Sequence, residues 1–461
     1  MDPGDLKNLR LTSKTLDVIT EQVFWAKCKV KVTINDETEE GSGKLEELKS
    51  EPESAAKIQR LVIELSGRKT YEHLRGDLPD ALHALQGLRA AHYWIESNDP
   101  AWLRDTVLQG LSSLPFLSTL LISAYPTDVI NGLTPLPLHH FCHGYGNGKL
   151  EHLSITAHFA DPNLFVSSLS KVLVHNPSIS HLDLWFWYLE PTISDLFNQP
   201  FPEPLRLKTL IVWGCFVGST KDLIPHLRSI QRIDLHHSGT HPSVWDTLRT
   251  EKIHPRHIIV GDPLENFLSY IESFSGLETL SIHDAYDARA LHDEDSNRLA
   301  RRFYQQSLRR HQASLRELCI RTKGSGPRNV RTRNVRAWNV DAFDGCKELV
   351  SLHVEICEDD VHATEDPERH IIGMLVKHAL ALPKLRTLRI APVFNVREGA
   401  MIDRTTFMIS GLDKIRRIIE SATFSWNTSY TPALEIEISR SSGTYVAEVS
   451  QQGEVRFKSV S

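Results

Sequence analysis

No stretch of this sequence approaches the ~18–20 consecutive apolar residues that a helix needs to cross a bilayer. No Cys-x-x-Cys pair occurs among its six cysteines, Cys28, Cys142, Cys215, Cys319, Cys346 and Cys357. The first absence excludes a helical membrane span. The second removes zinc ribbons and disulfide scaffolds, which need tighter thiol spacing, and leaves reduced thiols acting as small apolar side chains. Neither sign of charge is in excess: 52 Lys and Arg stand against 58 Asp and Glu, a balance of −6. Bulk charge therefore gives no argument for nucleic-acid binding. Gly-x-Ser-x-Gly, His-Glu-x-x-His and paired-carboxylate signatures are all missing, so no nucleophile, base and orienting group assemble and no enzyme is expected. The opening Met1-Asp2-Pro3-Gly4-Asp5 has neither a basic nor an apolar leader stretch. The expected location is the cytoplasm or nucleus. What is present, 41% apolar and 24% charged residues over 461 positions, is enough to bury a sizeable core. That length suits about two to four domains or one long repeat array.

A phrase recurs along the chain: an apolar residue, two residues, Leu or Ile, one residue, and a second apolar residue. It reads Leu117-x-x-Leu120-x-Ile122, Leu150-x-x-Leu153-x-Ile155, Ile179-x-x-Leu182-x-Leu184, Leu207-x-x-Leu210-x-Val212 and Ile230-x-x-Ile233-x-Leu235. It continues as Leu277-x-x-Leu280-x-Ile282, Leu315-x-x-Leu318-x-Ile320, Leu349-x-x-Leu352-x-Val354 and Leu385-x-x-Leu388-x-Ile390, with a degenerate first copy at Leu88-x-x-Ala91-x-Tyr93. Copies start 23 to 47 residues apart, and the longest gap leaves room for one more strand at His257-Ile258-Ile259-Val260. The last two apolar positions lie two apart, which is strand period, so both point to one face.

The preceding segments have helical character. Four open on Asp-Pro, at Asp99-Pro100, Asp161-Pro162, Asp262-Pro263 and Asp366-Pro367, where Asp suits an N-cap and Pro the first helical position. Helix then short strand, repeated at this period, predicts an α/β leucine-rich-repeat solenoid: a curved parallel sheet with helices on its convex side. A doubly wound sheet would need longer, continuously apolar strands.

Four segments are expected. Residues 1–34 form a small helical unit ending in a strand near Lys27 to Ile34. Residues 35–57, acidic and Gly/Ser/Pro-containing, form a linker. Residues 58–432 form the solenoid. Residues 433–461 alternate in three short runs and form a β cap on its end. The phrase Leu9-Arg10-Leu11-Thr12-Ser13-Lys14 resembles the Leu-Arg-x-x-Ser-Lys core of an F-box, and Leu78 to Arg89 resembles an opening repeat. Together with the repeats, the chain resembles fungal-type F-box/leucine-rich-repeat proteins. The resemblance implies a substrate-recognition subunit of an SCF-type ubiquitin ligase, with Leu6, Leu9, Leu11, Leu16 and Ile19 as the adaptor-contacting remnant. The family's first F-box helix has no counterpart in this sequence, so weak adaptor binding or none is expected.

The solenoid phase also places a binding surface. Residues flanking the inward positions face the concave side, and Trp94, Trp185 and Trp213 share one register position there. Trp185, Trp213, Asp183, Asp234 and His236 form the expected centre of protein-partner binding, with Trp94 and His283 on the same face, because buried aromatic anchors dominate protein interfaces. An adaptor-independent scaffold using this face is the alternative.

Three further features stand out. His139-His140-Phe141-Cys142-His143 has metal-ligand residue types but no second cluster at partner spacing, so no metal or cofactor is assigned. Gly144 to Lys149 lacks phosphate-loop spacing and reads as a surface loop. Arg321 to Arg336 is the one basic cluster. It lacks base-stacking aromatics, which favours a solvated loop or an acidic partner over nucleic acid or other phosphates.

Overall fold

The computed structural model describes residues 29–35, 42–66, 71–96, 99–125, 136–142, 150–157, 162–186, 192–218, 221–235, 239–261, 265–283, 293–321, 339–361, 366, 369–393, 403–425, 433–438 and 443–460. The protein is α/β with a mostly parallel sheet, and the chain divides into two compact units, residues 1–230 and 231–461.

In the first unit the strands are β1 (Lys29–Asn35), β2 (Arg60–Ser66), β3 (Ala90–Glu96), β4 (Thr119–Tyr125), β5 (His152–Ala157), β6 (His181–Phe186), β7 (Thr209–Trp213) and the two-residue β8 (Phe216–Val217). From β1 to β7 each strand pairs in parallel with the next in sequence. The recurring phrase sets this order, because its apolar pairs stack in register. Leu120 lies opposite Leu153, then Leu182, then Leu210, while Ile122 is followed by Ile155, Leu184 and Val212. All eight are at most 2% exposed. At about 25 cal/mol per Å2, each such side chain contributes roughly 1.5–3 kcal/mol.

The first apolar position of the phrase has a different job. Leu88, Ile179 and Ile230 lie in the turn before their strands, buried, with N–H groups bonded to the carbonyls of Leu85, Asn176 and Leu227. Just after, two successive N–H groups share one carbonyl of the previous repeat: Ser118 and Thr119 on Arg89, Glu151 and His152 on Ser118, Ser180 and His181 on Glu151. Each repeat is thereby tied to its predecessor before its strand begins.

The second unit repeats the pattern. Its strands are β9 (Arg232–Leu235), β10 (Gly239–Thr240), β11 (His257–Val260), β12 (Thr279–His283), β13 (Glu317–Arg321), β14 (Ser351–Cys357), β15 (Thr387–Val393), β16 (Phe424–Ser425), β17 (Glu435–Ile438), β18 (Thr444–Val449) and β19 (Glu454–Val460). β9, β11, β12, β13, β14, β15 and β17 form a parallel ladder, with Ile233, Ile258, Leu280, Leu318, Leu352, Leu388 and Ile436 at one register position. The chain then turns antiparallel through β18 and β19. The strand expected at His257 to Val260 is present, as are the three alternating runs near the C-terminus. β17 also extends the parallel ladder, so the expected boundary at residue 433 falls inside continuous pairing.

Helices cover the apolar face of the strands. They are α1 (Ser42–Ser50), α2 (Pro52–Ala55), α3 (Asp77–Ala84), α4 (Ala101–Ser112) and α5 (Pro162–His175) in the first unit. In the second they are α6 (Ser243–Thr250), α7 (Glu265–Glu272), α8 (Asp293–Arg302), α9 (Leu308–His311), α10 (Glu358–Val361), α11 (Ile371–Leu380) and α12 (Asp403–Ser421). α4 buries Leu103, Val107, Leu108 and Leu111, one stripe at helical spacing. The Arg-rich α8 points Leu299 inward, while Arg298 pairs with Glu265 at 2.9 Å. Arg302 donates to Glu272 through Nε at 2.9 Å.

Three local expectations differ from what is found. Residues 35–57 were expected as a linker, yet 42–50 and 52–55 are helical, and Leu45, Leu48 and Ala55 are buried. The few apolar residues among the acidic ones fall on one helical face, and pairing of β1 with β2 makes this segment the crossover between adjacent strands. Two Asp-Pro pairs do not cap as expected. Asp99 turns back to accept from the Glu96 N–H at 3.0 Å, leaving Pro100 at the cap of α4. α11 is capped by His370, whose Nδ1 accepts from the Ile372 N–H at 3.1 Å, not by Asp366. Finally, the connections before β7 and β9 are 3-10 turns, Ile193–Phe197 and Ile224–Leu227. The first carries Pro200, Pro202 and Pro204 and the second Pro225, and proline removes the N–H that further α-helical turns would need.

Candidate functional site

Opposite the apolar face, alternate strand residues of the first unit form an open face. Its register is Trp94, Ser123, Thr156, Trp185 and Trp213 along one row, and His92, Leu121, Ser154, Asp183 and Ile211 along the next. Trp185 and Trp213 are direct partners on β6 and β7, their rings stacked with centroids 5.3 Å apart and planes 20° from parallel. Trp185 remains 36% exposed, and Trp213 is half-buried. Strand spacing brings these two together because adjacent parallel strands lie about 4.8 Å apart. Trp94 sits three strands away, roughly 14 Å by the same spacing. It packs instead against His92, with centroids 4.7 Å apart and planes tilted by 35°, and His92 Nε2 lies 2.9 Å from the Ser123 hydroxyl.

Asp183, beside Trp185 on β6, accepts from the Ser154 hydroxyl at 3.2 Å. At the strand entries His152 and His181 face each other with centroids 5.7 Å apart. Burial, with His181 adding to it, holds His152 below the ordinary imidazole value. Between β3 and β7 no outward position holds Lys or Arg.

Asp234 is half-buried on β9 in the second unit and pairs with Arg232, two residues before it, at 3.3 Å. His283 on β12 meets the Ser281 hydroxyl through Nε2 at 2.7 Å. His236, the adaptor-contact residues Leu6, Leu9, Leu11, Leu16 and Ile19, the Gly144 to Lys149 loop and the basic loop after Arg321 lie outside the described residues.

The open face of the second unit is polar where that of the first is aromatic. Ser281, Cys319, His353, Arg389 and Glu437 follow one another across its strands. Arg321 donates to His353 Nδ1 at 3.2–3.3 Å. Arg389 donates to Glu437 through Nε at 2.6 Å. Burial pushes His353 down to about 3, helped by the positive charges of Arg321 and Arg389 and by His283. The Arg389–Glu437 pair was missed in the sequence, although continuing the row past β14 would have found Arg389.

The described cysteines are free thiols. Burial raises Cys142 and Cys319 above the ordinary thiol and pushes Cys346 up to about 12, so none is poised as a nucleophile. Among the described residues one group of three metal-ligating side chains stands together, Asp105 with His139 and His140. Also among them, no helix is long and apolar enough to cross a membrane. No known family model matches this chain, and no curated protein matches it.

Proposed function

We propose that the chain is a protein-recognition module whose partner docks on the open strand face of the first unit, around Trp185 and Trp213. One observation carries this reading: two tryptophans from successive repeats stack beside Asp183, Trp185 is 36% exposed, and no outward position of β3 to β7 holds Lys or Arg. A face selected only for solubility carries mixed charge. Large, rigid aromatic area with a few polar groups is the make-up of an interface centre. The finer reading follows the F-box-like phrase at Leu9 to Lys14 and the leucine-rich repeats: a substrate receptor of an SCF-type ubiquitin ligase, acting by binding and not by catalysis, in the cytoplasm or nucleus.

The test is affinity purification of the full chain from its native host, with partner binding then measured for wild type and for Trp185→Ala/Trp213→Ala. The double variant should lose about 2 kcal/mol or more of binding per true anchor while keeping its circular dichroism spectrum. Unchanged affinity with an intact spectrum refutes the site. Adaptor and cullin peptides among the co-purified proteins support the ligase reading, and partner capture without them supports an adaptor-independent scaffold.

A further inference from the structure

The three-ligand group lies away from the open strand face, on the helical side of the first unit. Asp105 projects from the middle of α4, an element fixed by its buried Leu103, Val107, Leu108 and Leu111. His139 and His140 lie in a short 3-10 turn, Leu138–Cys142, on the stretch leading to β5. This turn is pinned at both ends. Leu138 is 1% exposed, and Asn176 Nδ2 at the end of α5 donates to the Phe141 carbonyl at 2.9 Å. The backbones that carry the three side chains are thus held by the core and not by the side chains themselves.

The side chains converge. Asp105 Oδ1 and His140 Nε2 are 2.9 Å apart, the two imidazole centroids are 4.1 Å apart, and one donor atom from each of the three lies within 4.8 Å of the others. His139 is exposed, whereas His140 and Asp105 are half-buried. An ion pair between Asp105 and His140 accounts for one contact. It does not account for a donor atom of His139 lying within 4.8 Å of the same two groups.

We propose that Asp105, His139 and His140 bind a divalent transition-metal ion of the zinc type. Tetrahedral ligand bonds of about 2.0–2.2 Å place neighbouring donor atoms about 3.3–3.6 Å apart, so the Asp105–His140 pair needs to widen by only a few tenths of an ångström around an ion. Two imidazoles and one carboxylate select zinc, copper or nickel over calcium and magnesium, which take mostly oxygen ligands. Three protein ligands leave the remaining position to water. Cys142, two residues on, is not among the converging donors. The ion joins the helix of one repeat to the connection of the next, across 34–35 residues of sequence.

The experiment uses the full chain freed of metal by chelation, then titrated with Co2+ followed by visible absorption and with Zn2+ followed by calorimetry. One equivalent of Co2+ should bind with ligand-field bands, be displaced by Zn2+, and raise the melting temperature by mass action. Asp105→Asn and His139→Ala should each weaken Zn2+ binding by at least about tenfold, while His175→Ala, outside the group, leaves it unchanged. Asp105 and His139 are exposed enough for these variants to keep their fold, which far-UV circular dichroism checks. Two results overturn the site: no equivalent of metal bound by the chelator-treated chain, or binding that both variants leave intact.

Discussion

Acidification should loosen the entry to the strand that carries Trp213, and His226 is the group through which it acts. This side chain is 3% exposed, with its ring 4.8 Å from that of Phe197 and 4.5 Å from that of Phe201. Its Nδ1 accepts from the Leu205 N–H at 2.9 Å, and its carbonyl accepts from the Leu207 N–H at 3.2 Å. A protonated ring cannot accept at Nδ1. Burial accordingly pushes His226 down from 6.5 to about 4. A depressed folded value in a base means that the unfolded chain takes up the proton first. Stability is therefore fully present above 6.5 and is lost as pH falls towards 4. Linkage with these two values gives about 2 kcal/mol lost between about pH 8 and about pH 5 from this group alone. Urea unfolding of wild type and His226→Asn at both pH values measures it. Asn offers an oxygen near the place of Nδ1 and does not titrate, so its baseline cost cancels when each protein is compared with itself. Other buried histidines, His353 and His311 among them, contribute equally to both proteins. The variant should lose about 2 kcal/mol less than wild type on acidification. Equal losses in the two proteins refute the assignment.

Two further perturbations probe the repeat itself. Leu182→Ala and Leu388→Ala, each at a position with 0% exposure in the apolar ladder of its unit, should cost roughly 2–5 kcal/mol in denaturant unfolding. Midpoints equal to wild type would mean that the inward face is misassigned. Gly214 ends β7 with φ +72°, and a Cβ there would lie 1.9 Å from the Phe186 carbonyl oxygen. Gly214→Ala should cost at least about 2 kcal/mol, seen as a lowered melting temperature with a changed near-UV tryptophan signal, because both strain and a backbone clash act on the turn behind Trp213.

The positions of the strands were legible in the sequence alone. A buried pair two residues apart, following a buried turn residue, is a local signature, because backbone period and burial act on neighbouring residues. Hence the strands from Thr119 to Val393 could be placed, and so could the shared row of Trp94, Trp185 and Trp213. Tertiary structure decided which row members meet. Trp185 and Trp213 touch because their strands are adjacent, and Trp94 does not because two strands intervene. It also decided the caps, where His370 displaced Asp366, and it turned the acidic stretch before residue 57 into packed helices, since the pairing of β1 with β2 requires a crossover. Most of all, it decided that Asp105 meets His139 and His140. Spacing along the chain reveals ligands only when one element supplies them all. Here a helix and a turn one repeat apart supply them, and only the packing of those elements sets the distance between their side chains.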